Sequence, residues 1–166
     1  MAADSRDAFV LGPGRAPTPF TAGQIRDATT LGKSITRRVD SEDAESFLLI
    51  STYLACDADG ATLERSRLTL DGEPLSEPQV FTTTWLDLQR HASFPAADTT
   101  IEPERIRTAI GDLDCLRYTV RDGAADEVFW FATSLPGMPI QQETRTDGRV
   151  VTTVSLVEYT LTQPRS

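Results

Sequence analysis

Along most of the chain, apolar and polar residues alternate with a period of two, interrupted at intervals by Asp-Gly pairs. Alternation of this kind places successive side chains on opposite faces of a strand, and Asp-Gly supplies the positive backbone angles of a tight hairpin. The pattern predicts strands over Lys33 to Ser41, Ser46 to Cys56, Thr62 to Leu70, Gln79 to Thr83, Arg105 to Ile110 and Leu113 to Arg121. Further strands follow over Glu127 to Thr133, Ile140 to Thr146 and Val150 to Leu161. Strands joined by two-residue turns are antiparallel neighbours, so the last sixty residues read as a meander. A regular strand–helix alternation is missing, which excludes a doubly wound parallel sheet.

Two short helices interrupt the strands. Thr21 with Gln24 three residues later forms a capping box, flanked by Phe20 and Ile25 at the staple positions, and Gly32 can terminate the helix. A second helix starts at Thr84 and runs from Trp85 to His91, with Asp87 in the box position. On it Trp85, Leu88 and Ala92 share one face.

Splitting the strands by face changes the picture. Leu116, Tyr118 and Val120 share one face, opposed by Cys115, Arg117, Thr119 and Arg121. Val128 to Phe131 is apolar on both faces, and the final strand has no strongly polar side. A sheet with one wet face does not look like this. The sheet is expected to be covered on both sides or to curl around an interior. The fold class is therefore mainly β (α+β), a curved antiparallel sheet or half-barrel with two short helices. Residues 1–20, carrying Gly12, Pro13, Gly14, Pro17 and Pro19, read as a flexible N-terminal tail, and 21–162 as a single antiparallel β domain.

Composition narrows the function classes. The chain has 166 residues with 16 Lys and Arg against 25 Asp and Glu, a formal net charge of -9. An acidic protein is a poor partner for nucleic acid or an anionic membrane. One histidine and two cysteines cannot build a His/Cys metal cage, so neither a metal site nor a cofactor is expected. Asp57, Asp59 and Gly60 lack the rest of a calcium loop and read as a turn. Absence of a signal peptide and of a long apolar run points to the cytoplasm, where Cys56 and Cys115 are most simply separate thiols, although a disulfide stays open. A homo-oligomer is compatible with the sequence.

From Gly111 to Tyr159 the order Gly-Asp-Leu-Asp-Cys-Leu-Arg-Tyr, hairpin, Phe-Trp-Phe, Pro-Gly-Met-Pro loop and Asp-Gly hairpin resembles the last strands of bacterial lipoprotein-carrier-like half-barrels. That resemblance covers under a third of the chain. It implies a curved sheet closing over helices and able to shelter acyl chains, and it carries no catalytic residues across.

The leading expectation is a non-enzymatic protein that binds a lipid-like or aromatic small molecule inside the sheet, lined by Trp85, Tyr118, Trp130 and Met138, with Arg117 at the head group. Arg65 with Arg67, and Arg105 with Arg107, each place two guanidiniums on one strand face. Next to Arg117 and Arg121, such a strip suits a carboxylate or phosphate, whereas cross-strand ion pairing would leave it solvated. An alternative is a small acid/base enzyme in which Asp87 orients His91, four residues on along the same helical face. A third is a scaffold or interaction module.

Overall fold

A computed structural model describes residues 8–161 and shows one nine-stranded antiparallel sheet with two short helices. Helix α1 spans Ala22–Asp27 and α2 spans Trp85–Arg90. The strands are β1 (Ser34–Ser41), β2 (Ala44–Cys56), β3 (Gly60–Thr69), β4 (Gln79–Thr84), β5 (Thr99–Thr108), β6 (Gly111–Asp122), β7 (Ala125–Ala132), β8 (Gln141–Thr146) and β9 (Arg149–Thr160). Their order across the sheet is β4-β3-β2-β1-β9-β8-β7-β6-β5. Two meanders, β1–β4 and β5–β9, are thus joined where β9 pairs with β1. The β4 and β5 edges remain unpaired, but the sheet curls until β5 approaches β9.

The curl answers the two-faced strands. On β7, Phe129 and Phe131 pack with Phe20, Ile25, Tyr53, Leu63, Trp85 and Tyr118 beneath the helices. The intervening Val128, Trp130 and Ala132 pack with Ile35, Cys115, Ile140 and Leu156 in a second cluster. One strand therefore feeds two cores, which a single flat sheet with a solvated face cannot provide.

Local rules account for most element ends. Thr21 accepts from the Gln24 amide while the Gln24 side chain accepts from the Thr21 amide, closing the expected capping box. That helix stops at Asp27, before Gly32, because the Thr29 hydroxyl donates to the Ile25 carbonyl and the chain then turns. The β8–β9 hairpin turns at Asp147 (φ 52°) and Gly148 (φ 76°), the left-handed pair such a turn requires. Strand β5 begins at Thr99, six residues before the expected start. Pro103 lies inside it, where only an edge strand tolerates the missing donor.

The N-terminal segment differs from the flexible tail expected of it. From Ala8 onwards it lies across the helices: Ala16, Thr18 and Phe20 are buried, and the Ala16 amide donates to the Phe94 carbonyl. Gln89 of α2 holds it in place, donating to the Ala8 carbonyl and the Thr18 hydroxyl and accepting from the Ala22 amide. Burial of these groups, not the Pro and Gly content, decides the path of the segment. Residues 1–7 of the expected tail, and residue 162 at the other end, lie outside the described residues.

Candidate functional site

A cavity of about 220 Å³ lies between the sheet and the helices. Ile25 of α1 and Leu88 of α2 close it from above, and Leu63, Phe81, Phe129 and Phe131 form the sheet side. Gly137, Met138 and Pro139 from the β7–β8 loop complete the wall. The polar groups that reach it are Arg37, Tyr53, Arg65, His91 and Gln142.

The two arginines follow from register. On adjacent strands, Ile35 pairs with Ser51 and Ser51 with Arg65, while Arg37 pairs with Leu49. With parity preserved along each strand, Arg37, Ser51, Tyr53, Leu63 and Arg65 share the inner face. Arg37 and Arg65 are only two strands apart, at Cα positions roughly 12 Å from each other by sheet spacing.

Their electrostatic setting is unusual for so acidic a protein. Among the described residues, neither guanidinium has a carboxylate within ion-pairing distance, and the Nε atom of each is buried without a hydrogen-bond partner. The hydroxyl of Ser51, a residue 1% exposed, is also buried and unpartnered. Arg65 instead lies 5.2 Å from the Phe81 ring centroid. Burial, and secondly the neighbouring Arg65, lower the Arg37 pKa to about 10. Burial raises the Tyr53 hydroxyl to about 12, so it is a neutral donor near pH 7.

Lys33 sits behind the loop wall and is completely buried. Its ammonium donates to the Pro136 carbonyl at 3.3 Å and lies 5.6 Å from the Tyr53 ring centroid and 5.1 Å from that of Tyr159. Burial lowers its pKa to about 8.

Of the residues expected to line a site, the structure brings Met138 and His91 to the cavity. The others lie elsewhere. Trp85 is buried in the core with its indole nitrogen donating to the Asp57 carbonyl, and Tyr118 donates to the Pro17 carbonyl; both bonds fix the N-terminal segment and the β2–β3 turn. Trp130 belongs to the second cluster, because it alternates with the cavity-facing Phe129 and Phe131. Arg117 pairs with Glu102 and Glu104 across the β5–β6 ladder. Arg105 and Arg107 likewise pair with Asp114 and Asp112. Of the basic strip expected there, Arg105, Arg107 and Arg117 are neutralised across the ladder, while Arg121 is exposed with no carboxylate partner among the described residues.

The proposed acid/base pair does not form. The Asp87 carboxylate accepts from Arg90 at 2.8 Å, and the α2 cap uses the Asp87 amide, which donates to the Thr84 hydroxyl. The Asp57 carboxylate accepts from the Asp59 and Gly60 amides, a turn. No cluster of three or more His, Cys, Asp or Glu able to hold a metal occurs among the described residues. Cys56 is exposed and Cys115 buried, and both are free thiols. No helix among the described residues is long and apolar enough to cross a membrane.

Sequence reasoning missed Arg37. The signal was its parity: it shares a strand face with Ile35 and Val39, so an apolar face there carries a cation into the interior. No protein-family model matches the chain, and no curated protein matches its sequence.

Proposed function

We propose that this protein binds a small hydrophobic or amphipathic molecule without chemically transforming it. The observation that carries the reading is the apolar cavity between sheet and helices, walled by Leu63, Phe81, Leu88, Phe129, Phe131 and Met138. Its volume, about 220 Å³, exceeds the ~150 Å³ that accommodates a benzene ring in an engineered core, so one ring or a chain of about eight carbons is the matching size. Resemblance to lipoprotein-carrier-like half-barrels supports the same class of ligand. A catalytic role for His91 has lost its expected partner, since Asp87 is engaged by Arg90.

Methionine methyl NMR tests this directly, because the chain has two methionines and Met138 lines the cavity. Titration with octanol or octanoate should shift the Met138 methyl resonance saturably. Ala92→Leu, which places three more carbons in the cavity wall, should weaken that response about tenfold. No saturable shift with either compound contradicts the proposal.

A further inference from the structure

The cavity contains an apolar wall and an unpaired cationic end, and the two ask for different parts of one ligand. We infer that Arg37 and Arg65 form the head-group site for an organic anion, a carboxylate or phosphate ester on a short chain or single ring. This deepens the proposed function and rests on it.

The argument is one of polar satisfaction. Buried polar atoms in proteins almost always have partners, and an unpartnered group calls for a missing water, ion or ligand. The described residues contain five buried side-chain N or O atoms without one: on Thr30, Arg37, Ser51, Arg65 and Trp130. Three of the five, those of Arg37, Ser51 and Arg65, lie on neighbouring positions of β1, β2 and β3 and on the same face. Such clustering is not what scattered packing defects produce.

Charge points the same way. The acidic residues outnumber the basic ones by 25 to 16, and Arg26, Arg38, Arg90, Arg105, Arg107, Arg117, Arg145 and Arg149 have carboxylate partners, whereas Arg15 and Arg121, without one among the described residues, are exposed to solvent. Arg67, two residues from Arg65 on the same strand face, also has no carboxylate partner among the described residues and lies 5.6 Å from the Phe47 ring centroid. It extends the cationic row to an exposed position. A guanidinium edge presents parallel donors that match a carboxylate or phosphate bidentately, and two such edges can hold one anion from both sides. The Ser51 hydroxyl and the neutral Tyr53 lie on the same face. With a chain packed against Leu63, Phe81 and Phe129, the head group and tail of one amphipathic anion are both accounted for.

The test compares octanol, octanoate and octyl phosphate by calorimetry on the intact chain, together with Arg37→Met and Arg65→Met. A charge-assisted hydrogen bond corresponds to roughly a ten- to hundredfold change in affinity. Wild type should bind at least one of the two anions at least tenfold tighter than octanol, and the tighter anion names the head group. Each variant should lose that preference while still binding octanol. Equal binding of all three compounds by wild type overturns the head-group site and leaves the cavity reading standing. An anion preference that persists in both variants also overturns it. Binding of none overturns both. Should a variant misfold, raising salt from 50 to 500 mM on wild type supplies the second readout. Anion affinity weakening with octanol unchanged supports the site, and no differential salt effect counts against it.

Discussion

Strands β3 and β5 carry the same sequence signature, an arginine pair two residues apart, yet the two pairs meet opposite fates. On β5, Arg105 and Arg107 find Asp114 and Asp112 on β6, and on β6 Arg117 finds Glu102 and Glu104 in return. On β3, Arg65 and Arg67 face β2 positions Ser51 and Leu49, which offer no charge. The difference is set by the neighbour strand. Acidic residues at alternate positions of β5 and β6 neutralise one pair at an exposed edge. An apolar β2 face, with Arg37 beyond it on β1, leaves the other pair without a carboxylate among the described residues, Arg65 facing the cavity and Arg67 at an exposed position. Identical spacing on one strand therefore says little until the opposite strand is known.

This contrast can be broken at three strengths. The largest effect belongs to the buried cation behind the cavity, Lys33. Its folded pKa of about 8 lies below the ordinary 10.5, so between these values the unfolded chain binds more protons and stability rises with pH. The penalty is complete below pH 8 and relieved towards 10.5. Denaturant unfolding of wild type relative to Lys33→Met should show a gain of about 2 kcal/mol between pH 7.5 and 9.5. Taking the difference is essential, because burial holds the Cys115 thiol up at about 11 and opposes the trend above pH 9 in both proteins. A flat difference contradicts a desolvated cation at Lys33.

Next in size is Arg37. Replacing an unpaired, partly buried charge by an apolar side chain of similar length should leave the free protein equally stable or raise its unfolding free energy by about 1 kcal/mol. Such stabilisation with loss of anion binding is the signature of a residue kept for a ligand. A clear loss of stability would mean that Arg37 is structural.

The smallest effect is expected at Arg117. Its side chain is 33% exposed and its pairs with Glu102 and Glu104 are open to solvent, so Arg117→Met should cost under about 1 kcal/mol and leave ligand affinity unchanged. If Arg117→Met weakened ligand binding as much as Arg37→Met, the distinction between the two arginine groups would collapse.

How far the fold was legible follows from which forces are local. The capping box at Thr21 and the Asp147-Gly148 hairpin are decided by adjacent residues, and both are found where the pattern places them. The need for two covered faces was legible at Val128 to Phe131, where alternation fails. Less visible was Ala8 to Phe20, whose position depends on Gln89 some seventy residues away. Site residues fared unevenly for the same reason. Met138 is in the cavity wall, but Trp85 on α2 and Tyr118 and Trp130 on strands are core, because neither a helical stripe nor strand alternation announces which aromatics border the cavity. Arg37 needed the β1–β2–β3 register, which hydrophobic pattern alone does not supply.

The central claim is that Arg37 and Arg65 contact the ligand's charge directly, and arginine Nε–H NMR observes those atoms. Resonances are assigned by their loss in Arg37→Met, Arg65→Met and Arg117→Met. Added octanoate should move the Arg37 and Arg65 signals and leave Arg117 in place, and octanol should move none of the three. If octanoate shifts the Met138 methyl while the Arg37 and Arg65 signals stay still, the ligand enters the cavity without using the cations, and the account of the head-group site is wrong.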